Sequence, residues 1–292
     1  MTGSSDARDI VCWGDSLTAH GGMPTRLAEL TGRTCHNAGV GGENSLGVAA
    51  RQGAMPYLVT VSGGVIPAEG GVDVAVRTSF SPAVAAWPLV GGAGAAGDVG
   101  TGPGRLAGVD GTLQLRVKDP TVPAIRHGGG DVYAFVRKGP GPPIRLGSPT
   151  PFYFDFARAR RRDIAIVWMG ENGPGDDTTS AMFEAIALAL VPGTPFLFMT
   201  SCGDIHPGWT PLERRLIARW GRRFLNVRRY LIDEAPEDIG VPLTPRDRDD
   251  RARGRVPTSL RTDDVHHTLA AQRAIAEHLI LARMREFDWI ST

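Results

Sequence analysis

The sequence predicts an α/β fold on a parallel sheet, interrupted by a β-rich insert. Three observations carry this. Short, wholly apolar runs, Ile10 to Trp13, Ile164 to Met169 and Phe196 to Met199, have the length and composition of strands buried on both faces. Helical patterns alternate with them at both ends of the chain, as βαβ units require. Between about residues 55 and 156 the texture changes. Half of the chain's 38 glycines fall there, and period-two stretches replace helical ones. The expected division is residues 1–54 and 157–292 for the α/β core and residues 55–156 for the insert.

The 292 residues are 42% hydrophobic and 22% charged, enough for a sizeable core and unlike a disordered chain. A net charge of +1 gives no electrostatic argument for nucleic acid or an anionic membrane. No apolar run reaches the ~20 residues that span a bilayer. The first residues, Met1 to Asp6, lack the basic and apolar regions of a leader, so a cytoplasmic location is expected, with a mature secreted form as the alternative. Cys12, Cys35 and Cys202 are scattered and odd in number, and read as thiols rather than as disulfide or metal ligands.

The first strand stops at Gly14-Asp15, and Ser16 follows at its C-terminal end, which in an open α/β sheet faces the ligand crevice. A serine there is placed as a nucleophile if a base lies within reach, or simply caps the next helix. Asp15 reads as a brace for this turn and as a candidate substrate contact. A helix is expected over residues 23–30, ended by Gly32, then a short strand over residues 33–37. The glycine-rich stretch Asn37 to Ser45 can bring backbone N–H groups close to a ligand, with a short helix starting near Glu43.

In the insert, residues 72–77, 113–117 and 131–136 alternate as half-buried antiparallel strands, and no helix is expected. Gly92 to Gly97 fits a dinucleotide-binding pattern, but the following Asp98 to Gly104 cannot begin the helix that such a site needs. Trp87, Tyr133 and the run Phe152 to Phe156 suit core packing first and sugar stacking second.

Past the insert, residues 157–162 read as a solvated lead into the strand over residues 163–169, which ends at Gly170-Glu171-Asn172-Gly173. A helix from Asp176 or Asp177 through Leu190, a strand over residues 195–199 and a helix over residues 211–224 follow. A last strand is expected over residues 225–232, and an exposed loop of mixed charge over residues 244–255. His206, in the loop after the 195–199 strand, is a candidate substrate contact on the crevice rim. The chain closes with Thr262-Asp263-Asp264-Val265-His266-His267 and a helix through Ile275, Leu279 and Met284. His20, His36, His127 and His278 read as surface or packing residues.

Taken together, these stretches resemble the blocks of the SGNH (GDSL) hydrolase superfamily. Gly14-Asp15-Ser16-Leu17-Thr18 matches the first block, Asn37 to Asn44 resembles the second with Gly42 at its glycine position, Gly170 to Gly173 resembles the third, and Asp263-Asp264-Val265-His266 matches the Asp-x-x-His block. Gly173 stands where the third block usually has Asp, and Asp264 where the last usually has Gly. The resemblance spans residues 8–54 and 160–286 and leaves out the insert.

It implies a flavodoxin-like three-layer α/β/α sandwich and ester hydrolysis. Ser16 would be the nucleophile, His266 the base and Asp263 its orienting acid. The oxyanion donors would be the N–H groups of Ser16 and Gly42 and the Asn172 amide. The spacing also allows the shifted pair Asp264 and His267. The chemistry needs no cofactor and no metal: a neutral imidazole takes the hydroxyl proton and fixed donors hold the oxyanion. The expected substrate is a small-molecule or carbohydrate ester, with an O-acetyl or other short acyl group. Thioesterase, lysophospholipase or acyltransferase activity is an alternative on the same mechanism, and a non-catalytic binding module one of another class. The insert would shape the cleft or form a homo-oligomer interface.

Overall fold

In the computed structural model the described residues are 8–80, 102–116, 132–173, 175–200 and 209–290. They form a mixed α/β structure with a five-stranded parallel sheet and helices, and a separate closed six-stranded barrel. The chain divides into two compact units. One comprises residues 1–39, 162–180 and 192–292, the other residues 40–161 and 181–191.

The chain opens with β1 (Ile10–Gly14), one turn of helix α1 (Ser16–Ala19), α2 (Gly22–Thr31) and β2 (Cys35–Gly39). Gly32 ends α2 at φ +63°, as its sequence position predicts. The second strand begins two residues later than expected. Thr34 O instead accepts from Ile10 N at 2.9 Å and leads into the parallel register Ile10 to Cys35.

In the second unit α3 (Ser45–Gln52) is capped by Asn44, whose Oδ1 accepts from Gly47 N at 3.0 Å. The barrel then uses β3 (Tyr57–Val61), β5 (Gly71–Arg77), β6 (Gly102–Leu106), β7 (Val109–Arg116), β8 (Val132–Arg137) and β10 (Thr150–Phe154). A separate short pair, β4 (Val65–Ile66) with β9 (Ile144–Arg145), lies between them in the chain. The barrel order is β10-β3-β5-β8-β7-β6, every pair antiparallel, and β10 pairs with β6 to close the ring. Closure leaves no open sheet edge. The three alternating stretches expected in the insert coincide with β5, β7 and β8, except for Val117 and Asp131, which lie outside the described residues.

Aromatic rings fill the barrel. Phe152 meets Phe154 edge-on at 4.9 Å and Phe135 at 6.3 Å, and Tyr57 meets Phe154 at 6.3 Å. Gly104 and Gly111 make room for them, since a Cβ there would lie 2.5 Å from the Phe152 ring and 2.4 Å from that of Phe135.

The sheet resumes with β11 (Ile164–Trp168), α5 (Asp176–Ala189), β12 (Phe196–Thr200), α6 (Pro211–Trp220) and β13 (Phe224–Asn226). Its order is β13-β12-β11-β1-β2, all parallel. The alternate residues Ile10, Cys12, Ile164, Ile166, Trp168, Leu197, Met199 and Leu225 share one buried cluster with α2 and the C-terminal helices. Phe198, on the other face, takes the Trp220 ring edge-on at 4.9 Å, so α6 covers that side. Cys12 and Cys35 are free thiols, and Cys202 lies outside the described residues.

Three expectations are corrected. The expected last strand is only β13. After it Asn226 turns the chain into helix α7 (Val227–Asp233), its side chain accepting from Arg229 N at 3.0 Å, followed by α8 (Ala235–Ile239). The charged stretch after Thr244 is not a loop but helix α9 (Pro245–Ala252), started by a Thr244–Asp247 capping box with Pro245 in its first turn. Its acids Asp247 and Asp250 are buried because they accept from Ser259 N at 2.9 Å and Thr258 N at 3.1 Å. The segment before β11 holds a short helix, α4 (Asp155–Ala159), rather than only a solvated lead.

The chain ends in α10 (Leu269–Ala274), a π-helical turn over residues 275–281 and α11 (Ala282–Glu286). Among the described residues no helix is long and apolar enough to cross a membrane.

Candidate active site

Ser16 begins α1 directly after β1. Asp15 caps the turn: its Oδ1 accepts from Leu17 N at 3.0 Å, and its own carbonyl accepts from Ala19 N at 2.9 Å. Asp15 is completely buried, so it braces the turn and presents no surface to a substrate. Gly14 must lack a side chain. A Cβ there would lie 2.2 Å from Thr18 Oγ1 and 2.3 Å from the carbonyl of Trp168, its partner across the sheet.

Ser16 Oγ lies 2.9 Å from Nε2 of His266, 250 residues away in sequence. His266 Nδ1 lies 2.8 Å from Asp263 Oδ2. The other carboxylate oxygen, Oδ1, accepts from the N–H groups of Val265 (2.8 Å) and His266 (2.7 Å). The backbone N–H of His266, the His266 ring and the Val265 N–H hold the Asp263 carboxyl well below the usual carboxylate range, against a smaller opposing effect of burial. Asp263 therefore stays an anion facing the imidazole.

The loop carrying the base is fixed at both ends. Thr262 N donates to His266 O at 2.8 Å, and Thr268 N to Leu260 O at 2.9 Å. Thr268 then caps α10. Gln272 of that helix donates to Leu17 O at 3.4 Å, tying it to the serine turn. The alternative pair is not in place. His267 is buried and stacks on Trp168 with ring centroids 5.8 Å apart, while Asp264 points outward and meets Arg261 at 3.4 Å.

Asn172 lies in the exposed turn after β11, the strand beside β1, so it leaves the sheet at the same end as Ser16. Gly173 takes φ +78°, a conformation that suits glycine where the resembled block has an acid. Gly42 belongs to the second compact unit and takes φ +74° in a turn where Glu43 N donates to Val40 O at 3.2 Å. His206 lies outside the described residues, as do His127, Trp87 and the stretch Gly92 to Gly97.

One neighbour escaped the sequence reading. His20, expected at the surface or in packing, stacks on the His266 ring at 4.5 Å between centroids and 24° between planes. The available signal was its spacing, four residues after Ser16 on a helical turn, which puts both on one face. His36, by contrast, pairs with Asp9 at 2.8 Å. With Asp163 these two bring donor atoms within 4.8 Å of one another, a donor set that could hold a divalent cation. It lies by the start of β1, at the opposite end of that strand from Ser16, and has no part in the serine chemistry.

The chain matches no family model, no curated protein and no solved structure.

Proposed function

We propose that the chain is a serine-dependent ester hydrolase of the SGNH type. The observation that carries this reading is the unbroken relay from Ser16 Oγ through the His266 ring to Asp263, with 2.9 and 2.8 Å steps. The strand order, in which the second strand is an edge and the first lies inside it, is that of flavodoxin-like sheets, and it supports the sandwich that the motif resemblance implies.

His266 Nε2 takes the Ser16 proton as Oγ attacks the ester carbonyl. The tetrahedral oxyanion is met by the Ser16 N–H, one of those that a helix start leaves without an intrahelical acceptor. The Asn172 amide is the proposed further donor. The imidazolium then gives its proton to the departing alcohol, leaving an acyl-serine. A water molecule attacks the acyl carbon, losing its proton to His266. The carboxylic acid departs and Ser16 regains its proton. Asp263 holds the tautomer throughout and stabilises the imidazolium.

The proposed substrate is a short acyl ester, O-acetyl first, on a carbohydrate or small metabolite. The base lies at the surface, its ring one-quarter exposed and Asp263 over half exposed, which favours a small acyl group over a deeply enclosed chain.

A fluorophosphonate probe and a panel of p-nitrophenyl and sugar acyl esters test the reading. The wild type should label at Ser16 and turn over the short esters, and Ser16→Ala should do neither. Asn172→Ala should slow turnover by about 10²–10³ with little change in KM. Hydrolysis by Ser16→Ala at the wild-type rate would end the mechanism, and a wild type inert to both probe and esters would favour a binding module.

A further inference from the structure

We propose that His20 is a positioning residue for the base, its ring serving as a flat backstop that keeps His266 aimed at Ser16. This deepens the serine-hydrolase reading and rests on it. The two in-plane contacts of the His266 ring, to Ser16 and Asp263, define its edges but leave it able to tip about the line that joins them. Both contacts act at the ring edge and neither bears on a ring face, so tipping is opposed only by the loss it causes as the Nε2 lone pair swings off the Oγ–H direction. A second ring at 4.5 Å and 24° lies against one face and opposes that motion.

The placement follows from the nucleophile's own turn. His20 closes α1, and its N–H donates to the Ser16 carbonyl at 3.1 Å. Gly21, at φ +83°, then redirects the chain into α2 and leaves the His20 side chain at the end of the turn. Nucleophile and backstop are thus held by one hydrogen-bonded turn, and any movement of Ser16 carries His20 with it. The base comes from the far end of the chain and must fit against both.

Charge supports the same role. The groups acting on His20 are His266, Asp263 and His267. Burial against its surroundings, then the positive charge of His266 and that of His267, push the His20 ring below the ordinary histidine value, and Asp263 opposes them. His20 is therefore neutral when His266 takes the serine proton. A neutral aromatic face beside an imidazolium attracts it, so the stack strengthens as the reaction proceeds. An interaction stronger in the transition state than in the ground state acts on kcat rather than on KM.

The test uses the full chain with p-nitrophenyl acetate and a fluorophosphonate probe, comparing wild type with His20→Ala, His20→Gln and His20→Phe. Removing the flat ring in the Ala and Gln variants should lower kcat and the labelling rate together by about ten- to a hundredfold, with KM within about twofold. Phe restores a flat face without a titrating nitrogen and should recover both rates to within about threefold of wild type. Full activity in the Ala and Gln variants, or a Phe variant as slow as they are, would overturn the proposal.

Proton NMR of the downfield imidazole N–H shared by His266 and Asp263 reads the ring without turnover. The signal should be sharp in wild type and His20→Phe and exchange-broadened in His20→Ala. If the wild type is inert towards ester and probe, the hydrolase reading fails while this signal still decides the backstop. A signal equally sharp in all variants, or missing from wild type, overturns it.

Discussion

Asp263 shows how one side chain can serve the loop and the reaction at once. One carboxylate oxygen accepts from two backbone N–H groups and so shapes the loop, while the other faces the His266 ring. Asp263→Asn should keep the loop but offer an amide where the imidazole needs an acceptor. Turnover should fall by about 10³–10⁴ with the fold unchanged, as in serine enzymes that lose this charge. The depressed carboxyl also fixes a sign. Asp263 stays ionised as the pH falls through the ordinary carboxylate range, so its protonation should contribute no acid-side loss of activity there. A pH profile of kcat/KM tests this; a limb that disappears in Asp263→Asn while His266 is intact would contradict it.

Among the elements, α1 is held in place by a close approach and α6 by a buried charge. At Gly14 the first strand, the serine turn and the Trp168 carbonyl converge within contact distance of a missing Cβ. Gly14→Ala should displace α1 and with it Ser16, lowering probe labelling at least tenfold while far-UV circular dichroism stays native.

Helix α6 starts at a Thr210–Glu213 capping box, and Glu213 also receives Arg228 of α7 through two hydrogen bonds, 2.8 and 2.7 Å. Both side chains are essentially inaccessible to water. Burial raises the Glu213 carboxyl, but the bonds from Arg228 and the Thr210 N–H outweigh it, and its net position is below the ordinary value. A depressed carboxyl contributes stability that is present above the unfolded-state pKa and is lost as pH falls through the folded-state one. Glu213→Gln leaves Arg228 buried without its counter-charge and should cost about 3–5 kcal/mol at neutral pH. The gap to wild type should narrow on acidification, a trend that thermal melts at pH 7 and pH 4 would display or refute.

The two compact units each carry their own apolar interior. In the first it is the sheet and its helices, in the second a ring of strands around Phe135, Phe152 and Phe154. Scanning calorimetry should resolve two transitions. Phe152→Ala removes a fully buried ring and should destabilise the barrel by about 3–5 kcal/mol, moving one transition and leaving the other in place. A single transition that shifts as a whole would show that the two interiors melt together.

Much of this architecture was written locally. The parallel strands announced themselves because a strand buried on both faces must be apolar throughout, as Ile10 to Trp13 and Ile164 to Trp168 are. The Ser16 and Asp263–His266 motifs were legible because each depends on short-range spacing: a strand end followed by a turn, or two side chains three residues apart. Helix α9 was missed because its core-facing residues are acids, Asp247 and Asp250, neutralised by backbone donors that no hydropathy pattern reveals. Strand β13 was overextended because Leu225, Val227, Leu231 and Ile232 are all buried, and a short strand running into a buried helix has no period of its own.

By itself, the sequence determined which residue types stand at each strand end and that a β-rich segment divides the α/β chain. Only the tertiary structure decided that His266 rather than His267 turns towards Ser16, that His20 covers its face, and that the inserted strands close into a barrel. Those choices depend on contacts between residues far apart in the chain, 250 positions for Ser16 and His266 and 46 for the pair Leu106 and Phe152 that closes the ring. Their energies come from how rings and strands meet in space, which spacing along the chain does not encode.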